Sequence, residues 1–272
     1  FNERTHRASQ EAEQVREEIL EGMIFIATEG EIVGQVNGLS VREVGDFSFG
    51  HPGCISARTF MGESGVIHIE RETEMDGPIH EKGVLTLNGY LGGTYAQHQP
   101  LSLSASLTFE QTYGGIDGDS ASSSELYALI SSLSGLPARQ GISVTGSVNQ
   151  RGEIQPIGAV NEKIEGFFDV CQARGLTGDQ GVIIPATNIV NLMLREDVVD
   201  TVGKGLFHIW PISNIDEGIE LLMGQPAGEP DENGEYPEGT VHHAVKKRLM
   251  ELAMELKSFG DDRGHDQGDE EN

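Results

Sequence analysis

Hydrophobic and polar residues change rhythm several times along this chain. Between Leu101 and Glu110 the apolar Leu101, Leu103, Ala105, Leu107 and Phe109 alternate with Ser102, Ser104, Ser106, Thr108 and Glu110. That period of two predicts a strand with one buried face, and puts its serines on the polar face. Residues 8 to 22 carry Val15, Ile19 and Leu20 among many charges and predict a short amphipathic helix. From Gly22 to Lys82, short apolar runs (Met23 to Ile26, Ile55 to Met61, Val66 to Ile69) are separated by Gly, Pro, Asp and Asn. This is the rhythm of a small β-rich subdomain with hairpins.

The second half reads differently. A glycine-rich turn at residues 114 to 119 leads into a helix carrying Leu126, Leu129, Ile130 and Leu133, ended by Gly135 and Pro137. Ile142 to Val148 predicts a strand, and residues 149 to 153 a hairpin turn back through Ile154 to Ile157. A helix follows from Val160 to Arg174, closed by Gly175. Short strands follow at Val182 to Ile184 and Leu206 to Ile212, and Ser213 with Asp216 predicts a capped helix through Leu222. Such alternation implies an α+β fold built in α/β layers, with an N-terminal β-rich subdomain and a C-terminal strand-helix half. The boundaries expected are a helix or linker over 1–22, one domain over 23–224, and an acidic linker over 225–272. Within that last segment we expect a helix over 241–259 and a disordered, solubilising tail carrying Asp261, Asp262, Asp266, Asp269, Glu270 and Glu271.

With 272 residues and 37% apolar content, the chain can bury a core without a metal or disulfide staple. Cys54 and Cys171 stand far apart and outside any CxxC spacing, so two reduced thiols in a cytoplasmic protein are expected. The net charge of −26 repels phosphates and anionic membranes, which excludes a nucleic-acid role. No apolar run is long enough to span a bilayer, and no signal peptide is present. Because Phe1 is not preceded by a methionine, we expect a piece of a longer protein.

Ser120 stands where the glycine turn meets the helix, in Gly118-Asp119-Ser120-Ala121-Ser122. Serine there is ordinarily an N-cap, a duty Asp119 can share. It can also be a nucleophile whose oxyanion is held by the free N–H groups of a helix start. None of the nine histidines lies in a recognisable triad context. Lys163 borders the apolar stripe of Val160, Ile164, Phe167, Phe168 and Cys171. Either its stem packs while its head reaches water, or burial strips its hydration and lowers its pKa. Lowering a lysine from about 10.4 to roughly 7–8 costs about 4 kcal/mol, within what a folded core absorbs.

Several motifs decide between these readings. The stretch from Phe109 to Gly224 resembles the Lon protease family in five ordered segments: Asp117 to Ala121, Val144 to Ser147, Arg151 to Glu153, Pro156 to Lys163, and Val182 to Pro185. The family's catalytic serine and lysine fall on Ser120 and Lys163, 43 positions apart. The Gly-Asp-Ser-Ala-Ser form is similar to the LonB-like and bacterial Lon-like branch, and Ala159 stands where many relatives carry a second glycine. The resemblance implies the Lon proteolytic domain fold and a serine endopeptidase that degrades unfolded polypeptides in a homo-hexameric ring. It implies Thr145 as the residue orienting Lys163, and gives Asp119 either to helix capping or to contact with Lys163. With no G-x-x-x-x-G-K-[ST] loop here, ATP and Mg are expected only in an upstream AAA+ module, and this chain needs no cofactor. Two alternatives stand beside it: a catalytically weak Lon-fold assembly module, and a Ser-His-Asp esterase.

Overall fold

Strand-forming segments of the first sixty residues pair as a long hairpin. The computed structural model of the chain describes residues 2–45, 47–97 and 101–265. After α1 (Asn2–Leu20) and the short β1 (Glu31–Ile32) come β2 (Gln35–Val44) and β3 (Phe47–Phe60), then β4 (Gly65–His68), α2 (Ile69–Glu72) and α3 (Pro78–Tyr95). The second half holds β5 (Ser104–Phe109), α4 (Ser122–Ser134), β6 (Ala138–Arg139), β7 (Ile142–Val144), β8 (Ser147–Val148) and β9 (Ile154–Gln155). It closes with α5 (Val160–Arg174), β10 (Gly181–Pro185), a 3-10 turn (Ala186–Asn191), α6 (Glu196–Gly203), β11 (His208–Ile212), α7 (Ile215–Met223) and α8 (Val241–His265).

Seven strands form one mixed sheet in the order β11-β10-β7-β2-β3-β5-β4. β2, β3 and β5 run antiparallel, while β11, β10, β7 and β2 are parallel neighbours. The β-rich first part and the alternating second part therefore meet along β2 and β7 in a single sheet. Side chains that alternate along each strand serve two cores. Leu39, Cys54, Val182 and Ile184 face α5 with Val160, Phe167 and Phe168. Ile55, Val144 and Ile183 face α4, with Leu126, Leu129 and Leu133. A sheet buried on both sides by helices explains the unbroken apolar run of β10.

The expected flanking segments pack into these cores. Val15 and Ile19 of α1 are buried beside α5, and Val241, Val245, Leu249 and Leu252 of α8 are buried beside α4. α1 and α8, which lie outside the boundaries drawn at residues 22 and 224, thus share the two cores. α8 extends past the expected 259, while the acidic end from 266 and His98 lie outside the described residues. Among the described residues no helix is long and apolar enough to cross a membrane.

Three local expectations are corrected. The expected strand over 142–148 breaks after Thr145: its N–H still bonds the Ile183 carbonyl of β10, while Gly146 turns its N–H to the Ser120 carbonyl. Asn214, not Ser213, caps α7: its side chain accepts from the Glu217 N–H at 3.0 Å, the reach an amide at the N-cap provides. Helices α3 and α6 carry no helix expectation from the sequence reading. Four glycines interrupt the apolar pattern of α3, and α6 buries only Val198.

Candidate active site

Ser120 is carried on the turn ahead of α4, held from below by the broken strand. Gly146 donates its N–H to the Ser120 carbonyl at 2.8 Å, and the Thr145 hydroxyl reaches the same oxygen at 3.3 Å. In return Ser123 donates both N–H and hydroxyl to the Gly146 carbonyl, at 3.1 and 2.8 Å. Ser124 donates to Val144 O, and Ser122 accepts from Val148 N. Sequence reading passed over this Ser122-Ser123-Ser124 run, whose signal was three hydroxyls crowding one otherwise apolar helix start.

The capping reading of Ser120 and Asp119 does not hold. Ala121 occupies the N-cap without any side-chain cap bond, and the Asp119 carboxylate instead accepts from the Ser147 hydroxyl at 2.9 Å. Among the described residues, the N–H groups of Ser120 and Ala121 have no hydrogen-bond partner. Two free donors at a helix start thus stand beside a half-buried serine hydroxyl.

Lys163 reaches this serine from the opposite wall. Its Nζ lies 2.8 Å from Ser120 Oγ and 3.2 Å from Thr145 Oγ1. The side chain does more than border the buried face: Lys163 is 3% exposed. Burial lowers its pKa to about 8, with the Asp119 charge pulling partly the other way. A lysine in that state is mostly protonated at pH 7 but yields its proton readily, while Thr145, itself buried, fixes its direction.

Backbone packing brings Lys163 that close. α5 rests on β3 where Gly50 meets Glu162 and Gly166 main chain to main chain; a Cβ on Gly50 would lie 2.5 Å from Lys163 Cα. The helix begins at Ala159, whose φ of 55° is left-handed. Glycine is the residue that adopts this conformation without strain, so alanine holds the geometry at a conformational cost.

Other candidates stand apart. Among the described residues no histidine ring hydrogen-bonds Ser120; His68 and His80 both bond Glu125 instead. Burial pushes the thiols of Cys54 and Cys171 up to about 12, with Glu110 adding to the rise at Cys54 and Arg174 opposing it at Cys171. Neither offers a thiolate nucleophile near neutral pH. Beside Asp119 an open groove of about 350 Å³ runs between α3 and the β8–β9 hairpin, lined by Lys82, Thr86, Val148, Gln150 and Arg151.

Comparison with known proteins adds to this geometry. The family model for the Lon protease (S16) C-terminal proteolytic domain matches residues 114–225. A candidate Lon protease homolog of Escherichia coli is 47% identical over 214 residues, 78% of this chain and 36% of that protein. A similarly described protein of Haemophilus influenzae is 45% identical over 252 residues, 91% of this chain and 42% of its own length. The archaeal Lon protease of Thermococcus kodakarensis is 31% identical over 222 residues, 76% of this chain and 30% of that protein. The chain spans less than half the length of these curated relatives.

Proposed function

We propose that this chain, which belongs to the Lon protease family, is a serine endopeptidase that cuts unfolded polypeptides with Ser120 as nucleophile and Lys163 as general base. The contact of 2.8 Å between Lys163 Nζ and Ser120 Oγ, made by a buried lysine with a depressed pKa, carries the reading. Neutral Lys163 takes the hydroxyl proton as Oγ attacks the scissile carbonyl. The N–H groups of Ser120 and Ala121 receive the developing oxyanion. Lys163 then hands the proton to the leaving amine, and water, activated by the same amine, releases the acyl group from Ser120. Thr145 accepts from Lys163 and keeps it aimed. Asp119 supplies a negative charge near Lys163 that limits how far its pKa falls.

The groove beside Asp119 suits an extended peptide, since its lining sets the charged Lys82, Asp119 and Arg151 among amide, hydroxyl and aliphatic side chains. In the whole protein we expect ATP and Mg to act in an upstream AAA+ module that feeds a homo-hexameric peptidase ring. Exposed Val190 and Met193, 88% and 86% accessible, are the kind of apolar surface that a subunit interface covers. The unpaired buried thiols agree with a cytoplasmic setting.

The decisive experiment is casein digestion by the whole protein, with and without ATP, beside a Ser120→Ala control and fluorophosphonate labelling. Loss of both cleavage and labelling in Ser120→Ala is expected. Wild-type turnover in that variant, or failure of the label to reach Ser120, would favour an assembly module or another nucleophile.

A further inference from the structure

Away from Ser120, five ionisable side chains meet in the interior between β4, α2, α3 and α4. His68 is 0% exposed, Glu70 3%, His80 1% and Glu125 0%, and Asp76 completes the group. A single oxygen, Glu125 Oε1, accepts from the Nε2 groups of both His68 and His80, at 3.0 and 2.9 Å. Each ring therefore turns Nε2 to Glu125 and Nδ1 to its other side.

Those two Nδ1 atoms meet acceptors, not donors. His68 Nδ1 lies 3.1 Å from Glu70 Oε2, and His80 Nδ1 lies 3.7 Å from Asp76 Oδ2. All four atoms are buried and none forms a hydrogen bond, the first pair by direction and the second by distance. Each pair needs positive charge between its two atoms, supplied either by a proton on the imidazole or by a metal cation among them. Two ligand atoms each about 2.1 Å from a tetrahedral ion sit about 3.4 Å apart, between the two separations seen. One donor atom each from His68, Asp76 and His80 also falls within 4.8 Å of the others.

The surroundings resemble those of a metal centre. Metal-bound imidazoles usually donate their other N–H to a carboxylate, which is what Glu125 receives. Glu70 is held by its second oxygen, Oε1, which accepts from the Thr108 hydroxyl and the Phe109 N–H at 2.8 Å each, leaving Oε2 free. We propose that His68, Asp76 and His80 bind a divalent ion of the zinc class, with Glu125 orienting both imidazoles. Two nitrogen ligands and one oxygen suit Zn²⁺ and not the all-oxygen shells of Ca²⁺ or Mg²⁺. Sequence spacing hid the site, because its ligands come from a strand end, a loop and a helix.

The site ties together both sides of the Ser120 turn. Glu125 lies on α4, just after that turn. Met75 and Gly77, which flank Asp76, hydrogen-bond Ile116 just before it, at 2.9 and 2.7 Å. The ion would act as a structural clamp on this loop, and its existence does not depend on the role proposed for Ser120.

The test uses the intact chain purified without chelator. Elemental analysis should find about one zinc per chain, and removing it should lower the melting temperature, with restoration by Zn²⁺ but not by Mg²⁺. Co²⁺ should give the visible absorption of a tetrahedral site. In Asp76→Asn, which keeps the side-chain shape, zinc should bind at least about tenfold more weakly and the melting response should shrink accordingly. The proposal fails if wild type holds no stoichiometric metal and Zn²⁺ does not raise its melting temperature. It fails equally if Asp76→Asn binds zinc as wild type does, because the metal would then sit on other histidines. A Mg²⁺ response matching that of Zn²⁺ would overturn the ligand class.

Discussion

Gly50 and Lys163 touch backbone to backbone: a Cβ on Gly50 would stand 2.5 Å from Lys163 Cα and closer still to the Glu162 carbonyl. Main chain cannot yield there as a flexible side chain can, so the missing methyl sets how near α5 approaches the sheet. Gly50→Ala should lift the helix and draw Lys163 off Ser120. Overpacking of this kind costs about 1–3 kcal/mol, and a displacement of about 1 Å costs roughly 100-fold in turnover. Gly53→Ala in the same strand, where a Cβ meets nothing within 4 Å, is the control and should change neither. Peptide hydrolysis and denaturant melts of both variants check this, and equal activity in the two would sink the packing argument.

A base with its pKa near 8 gives a distinctive pH profile. kcat/KM should rise about tenfold per unit below that value and level off above it, since only neutral Lys163 can accept the Ser120 proton. Lys163→Arg keeps the charge but cannot lose a proton near neutrality, so it should be as inactive as Lys163→Ala. A fluorogenic peptide assayed across pH 6 to 10 measures both; substantial turnover by the arginine variant would make the lysine an electrostatic helper only.

The same depressed pKa works against stability. Burial brings Lys163 from 10.5 to about 8, so between those values the unfolded chain binds a proton that the folded chain has released. Stability should therefore rise with pH across that window, and the full penalty, roughly 3 kcal/mol, applies below it. Lys163→Met removes the buried charge and gives up two polar contacts worth about 1 kcal/mol each. It should be more stable than wild type at pH 7 by about 1–2 kcal/mol while inactive, and lose that advantage above pH 10.5. Urea titrations at the two pH values test it; a variant less stable at pH 7 contradicts the assigned cost.

Ala159 holds a φ of 55° ahead of α5. Relief of the left-handed strain favours glycine by about 1–2 kcal/mol, partly offset by about 0.4–1 kcal/mol of added unfolded-state entropy. Ala159→Gly should thus stabilise the protein slightly and leave the Lys163 contact intact. A thermal melt showing clear destabilisation would mean that the alanine methyl has packing value beyond its backbone cost.

The sequence by itself determined much of the layering. Alternation in β5, the apolar run of β10 and the stripes of α4 and α5 are local patterns fixed by which face each residue must bury, and they were legible as they stand. The ordered motifs also singled out Ser120, Lys163, Thr145 and Asp119, because their spacing along the chain is characteristic. Tertiary structure alone decided whether those residues meet. The contact of Gly50 with α5 and the joining of β2 to β7 depend on segments a hundred or so positions apart, the break at Thr145 and Gly146 on partners some tens of positions away, and no periodicity encodes such distances. The burial that shifts Lys163 is likewise a property of the packed neighbourhood. So is the cluster of His68, Glu70, Asp76, His80 and Glu125, whose members look like ordinary polar residues until the folded chain closes water out around them.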